Sequence, residues 1–118
     1  MPKEDKLPTR YYSDLQENDI CKKFNATKQP NSGAGHFRKG DVINYSASLL
    51  FEAKTCTSDK ESFSIKKDWI VKNRDEAFSQ RVFNGCIAFN FGPYQSNYFV
   101  IDEKLMKFLI EKLEEENS

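Results

Sequence analysis

Apolar positions along the chain follow two spacings, and the spacing changes several times. Between Ser13 and Phe24 the residues Ile20, Cys21 and Phe24 share one face of a helix. Ser13 followed by Gln16 has the form of a capping box, which predicts a helix start there. Glu17 falls on the same inward stripe, where a carboxylate needs a reason. The segment NATKQPNSGAGHFRKG, residues 25–40, reads as a loop leading into the first strand. Strands are expected at about 41–45 and 48–55. Helical spacing returns at about 64–81 with Ser64 as cap, GCIAFNF (85–91) and NYFVI (97–101) read as strands, and GPYQS lies between them as a turn. Asp102 then caps a last amphipathic helix through Leu105, Phe108, Leu109 and Leu113. The order α, β-hairpin, α, β, β, α predicts an α/β or α+β fold, with helices packed on one mixed sheet.

The hairpin carries the chemistry. If its strands turn at Ser46-Ala47, Tyr45 faces Ser48 and Asp41 faces Glu52, with Cβ atoms roughly 5 Å apart. Side chains alternate along a strand, so Lys54 joins Glu52 on that face while Phe51 and Ala53 point the other way. Two opposed carboxylates repel, and a divalent cation reverses the sign. Mg²⁺ is held by one or two carboxylates plus waters and substrate phosphate. A lysine beside it can orient a water, and Glu17 is a candidate further ligand or base; the set suits metal-assisted phosphodiester hydrolysis. The plain alternative is an acid–lysine pair facing water on an exposed sheet, which is worth little.

Length and charge refine this only slightly. A chain of 118 residues suits one domain, expected over 13–113, between an N-terminal arm (1–12) and a fraying acidic tail (114–118). The opening MPKEDK has no apolar core of a secretory signal, and no apolar run approaches a membrane span. Three cysteines, scattered at Cys21, Cys56 and Cys86, point to reduced thiols in a cytoplasmic setting rather than disulfides or zinc. Net charge is zero, but residues 1–81 carry fifteen Lys/Arg against twelve Asp/Glu, and residues 82–118 carry three against six. The basic surplus therefore lies with the candidate site. Arg38, Lys39 and His36 precede the first strand and are candidate phosphate contacts. Lys66, Lys67, Lys72 and Arg74 either line a duplex channel or form a solvated helix face. Phe63, Trp69 and Phe78 read as core, Gln80 as surface, and Phe89 with Phe91 as core or dimer interface.

Asp41, then Glu52-Ala53-Lys54 on the next strand, resembles the PD-(D/E)xK nuclease signature. Glu17 in the preceding helix, the loop Ser32-Gly33-Ala34-Gly35, RKGDV, and the later AFNFGP and NYFVIDE resemble the Holliday junction resolvase branch, archaeal and bacteriophage-encoded. The likeness spans roughly residues 13–110; Gly40 stands where the signature has Pro. It implies a restriction-endonuclease-like core and a Mg²⁺- or Mn²⁺-dependent endonuclease of DNA recombination and repair. Asp41, Glu52 and the Ala53 carbonyl would hold the ion. Lys54 would steady the transition state, Glu17 would complete the metal site, and Ser32 would approach the scissile phosphate. A four-way junction has pseudo-two-fold symmetry, so a C2 homodimer is expected, with binding that falls steeply with salt. Two other readings stay open: a nicking or repair endonuclease of the same fold, and a non-catalytic DNA-binding or phage interaction module.

Overall fold

A computed structural model describes residues 7–29 and 41–118. Helix α1 runs Thr9–Phe24. It begins a turn before the predicted cap, taking residues assigned above to a loose arm. Pro8 stands at the N-cap, and the Ser13 hydroxyl, instead of capping, donates back to the Thr9 carbonyl at 3.3 Å inside the helix. Asn25 ends α1 in the left-handed region (φ 53°) and donates its N–H to the Cys21 carbonyl.

Among the described residues five strands follow: β1 Thr27–Lys28, β2 Asp41–Asn44, β3 Leu49–Lys54, β4 Asn84–Phe89 and β5 Tyr98–Val100. They lie in the order β1-β2-β3-β4-β5. Only β3 and β4 are parallel, and the connection between them carries helix α2, Lys67–Ser79. Helix α3, Glu103–Asn117, ends the chain. The fold is therefore α+β on one mixed sheet, as the pattern predicts. Three details differ. β1 lies inside the predicted loop. Helix α2 starts after Lys66, without Ser64 as its cap, and stops before Gln80. Helix α3 stays helical to Asn117, through the segment expected to fray.

The hairpin register is the predicted one, with Asp41 opposite Glu52 and Asn44 opposite Leu49. Its turn is closed by Ser48 N–H donating to the Tyr45 carbonyl (3.1 Å) and Ala47 N–H to Asn44 Oδ1 (2.8 Å). Ser48, at φ 54°, then ties the turn to the approach of β4: its carbonyl accepts from Asn84 N–H and its hydroxyl from Phe83 N–H.

Strand alternation splits the sheet into two buried faces. Ile20 of α1 packs with Val42, Phe51, Cys86 and Ala88 on one. Ala77 of α2 packs with Ile43, Leu50 and Val82 on the other. Asn73 pins α2 to the sheet by donating to the Leu50 and Cys86 carbonyls. This needs Gly85: a Cβ there would collide with the Asn73 amide. Phe78, expected in the core, is 85% exposed at the end of α2. Among the described residues, no helix is long and apolar enough to cross a membrane.

Candidate active site

The α2 face of the sheet carries the acids. Asp41 opens β2 and Glu52 stands directly across from it on β3. Both are deeply buried, at 3% and 2% exposure. Lys54 lies two residues on, on the same face, with its ammonium 3.7 Å from Glu52 Oε2. The two acids are shielded from water, while Lys54 remains about a third exposed at the edge of the site.

Two side chains that sequence reasoning did not assign to the site hold this lysine. Its ammonium sits 4.6 Å from the ring centroid of Trp69, near the start of α2, and Lys66 approaches the same ring at 5.7 Å. Trp69 reads as core from its helical spacing; its contact with Lys54 arises because α2 is the crossover between β3 and β4 and so covers the acidic face. From the opposite side of the sheet, Gln16 Nε2 donates to the Lys54 carbonyl at 2.8 Å, to the Ala88 carbonyl at 3.2 Å and to Asn97 Oδ1 at 3.0 Å. A buried glutamine next to Glu17 on the helix stripe was the available signal.

Glu17 is buried, as its stripe predicts, but α1 covers the face that bears Val42 and Phe51, not the face that bears Asp41 and Glu52. Its carboxylate lies 4.0 Å from Lys28 of β1, which also reaches Asp14 at 3.6 Å. Strand alternation thus brings Asp41, Glu52 and Lys54 together and leaves Glu17 across the sheet. Ala53 points toward α1, so only its backbone carbonyl belongs to the acidic neighbourhood. Lys66 and Lys67 are exposed at the start of α2. Ser32, His36, Arg38 and Lys39 lie outside the described residues.

The donor set fits a hard divalent cation in one respect and limits it in another. Paired carboxylates suit Mg²⁺, which takes one or two and keeps its waters. Among the described residues, however, no group of three His, Cys, Asp or Glu side chains is placed to hold a metal ion. A cation here would rest on Asp41 and Glu52, with its remaining positions open to water and phosphate.

The thiols take no part in this chemistry. Burial pushes Cys86 up to about 12, so it stays protonated and inert. Burial also raises Cys21, although Lys28 beside it opposes the shift.

Comparison with known proteins returns no match: no family model, no curated protein and no solved structure is similar to this chain. The site is therefore read from its own geometry.

Proposed function

We propose that this chain is a divalent-metal-dependent endonuclease that hydrolyses DNA phosphodiesters, with branched DNA of the four-way-junction type as substrate and two copies acting together. One observation carries the reading: two buried carboxylates, Asp41 and Glu52, face each other across an antiparallel pair, with an ammonium 3.7 Å from one of them. Carboxylates placed directly opposite one another on a sheet repel. A phosphate-bound cation makes the same pair favourable.

Asp41, Glu52 and the Ala53 carbonyl would hold Mg²⁺ or Mn²⁺, which supplies Lewis-acid polarisation of the phosphate and a bound water of lowered pKa. The rest falls to the chain. Lys54, steadied between Glu52 and the Trp69 ring, presents its ammonium to the phosphate oxygens where negative charge grows during attack. Lys66, 5.7 Å from the same ring, would lengthen the basic lip toward the DNA backbone. Glu17, paired with Lys28, serves the sheet rather than the reacting phosphate.

A labelled four-way junction and a linear duplex of the same sequence, each with Mg²⁺ or EDTA, test the reading in wild type and Asp41→Asn. Paired nicks in the junction that need Mg²⁺ and vanish in the variant are expected. Cutting that survives EDTA overturns the metal role. Equal cutting of the linear duplex replaces the junction by a general nicking substrate, and tight binding without any cleavage makes the chain a DNA-binding module.

A further inference from the structure

Helix α3 inverts the arrangement at the acids. It has fifteen residues, and among the described residues none of them is buried. Yet Leu105, Leu109 and Leu113 recur every fourth position, with Met106 and Ile110 beside them, which makes one continuous apolar stripe. Leu113 is 61% exposed. A second apolar surface lies at the root of the same helix. A groove of about 290 Å³ runs between α2 and the β4–β5 edge, lined by Ile70, Ala77, Val82, Ile87 and Val100. Phe78 and Phe83, 85% and 81% exposed, stand among its lining residues.

The helix does not fill its own groove. Only two residues separate β5 from α3. Asp102 caps the helix by accepting from Leu105 N–H at 2.9 Å, and Arg74 of α2 lies 3.9 Å from the same carboxylate. This short, anchored connection fixes the direction in which α3 leaves, and no residue of α3 past Lys104 lines the groove.

We propose that α3 of a second copy occupies this groove, and that the exchange is reciprocal about a two-fold axis. Charge selects the occupant. The groove is bordered by Arg74, Lys104 and Asp102, two cations to one anion, while the outer half of α3 carries Glu111, Glu114, Glu115 and Glu116 against Lys112 alone. An acidic helix with an aliphatic stripe meets an apolar groove with a basic border, and one symmetric dimer covers both surfaces twice.

Sedimentation of the full chain tests this without reference to cleavage, so its outcome is independent of the nuclease reading. Wild type is expected at about twice the 13.7 kDa chain mass at micromolar concentration. Leu109→Glu with Leu113→Glu, and separately Phe78→Ser with Phe83→Ser, alter residues exposed in the single chain. Each pair is expected to halve the mass and leave the far-UV circular dichroism unchanged. Mixing the two double variants restores a weaker dimer, because one intact helix meets one intact groove. A monomeric wild type, a dimer that survives either double variant, or a mixture that stays monomeric would each overturn the proposal; survival of the groove variant alone would point to helix–helix pairing instead.

Discussion

The hairpin and the last helix break the same rule in opposite directions. β2 and β3 put two carboxylates where charge is expensive, and α3 puts four aliphatic and thioether side chains, Met106, Leu109, Ile110 and Leu113, where water is. Between them lies an ordinary interior, in which Ile43, Leu50 and Val42 are completely buried. Conforming residues such as these explain why the sheet holds together. The two departures are where function is sought, because buried acids and exposed aliphatic side chains both run against the usual partition of a fold. The first is the basis of the proposed cation and phosphate site, the second of the proposed dimer.

The largest expected effect lies at the acids. Asp41→Asn should lower Mg²⁺-dependent cleavage more than about 100-fold, since even an indirect partner of a metal site carries up to that much. The same change removes one of two opposed buried charges. In urea denaturation, Mg²⁺ should raise the midpoint of wild type only. A wild-type midpoint that Mg²⁺ leaves unmoved would dissolve the contrast.

Leucine, present in both regions, measures the other side. Leu50 is wholly buried under α2, and Leu50→Ala should cost about 2–5 kcal/mol by urea denaturation. Leu109→Ala, in chain dilute enough to be monomeric, should change stability by less than about 0.5 kcal/mol, as exposed positions do. A large loss at Leu109 under those conditions would show that α3 packs on its own chain.

These contrasts were unevenly legible in the sequence. The hairpin register followed from a two-residue turn at Ser46-Ala47 together with alternation, since a one-residue slip would have turned Val42 and Phe51 away from α1. The Asp102 cap was legible for an equally local reason. Glu17 was half legible: helical spacing states that a side chain faces inward, but the sheet has two insides, and α1 took the one without the acids. β1 gave no signal, since Thr27 and Lys28 are exposed polar residues that become a strand only by pairing with Ile43 and Val42. Amphipathicity showed which face of α3 seeks cover but not whether its own chain provides any.

The thiols repeat the comparison on a smaller scale. Cys86 is buried in the sheet and Cys56 only half so. Burial lifts Cys86 from 9.0 to about 12, so the folded chain keeps a proton that the unfolded chain sheds. The stability tied to that proton is whole below pH 9.0 and is lost as pH climbs from there toward about 12. The slope is about 1.4 kcal/mol per pH unit. Urea midpoints of wild type and Cys86→Ala should accordingly converge as pH rises from 8 to about 10.5. Parallel curves would place Cys86 in contact with water.

The smallest expected effect lies where α2 meets the acids. Trp69 belongs to the helix that roofs the acids, and its ring faces the ammonium of Lys54 at 4.6 Å. Trp69→Leu keeps the apolar bulk and removes the ring's attraction for a cation, worth about 0.5–1 kcal/mol where water has access. Lys54 keeps its contact with Glu52, so it should be displaced rather than lost. Cleavage should fall by about 2–5-fold in kcat, KM should stay nearly constant and the melting temperature should barely move. Trp69→Phe, which restores a π face, should recover part of the rate. If Trp69→Leu instead lowers the melting temperature and leaves kcat unchanged, the tryptophan is packing alone. Lys54 would then be held by Glu52 only, and the acidic pair would have to position its lysine without help from α2.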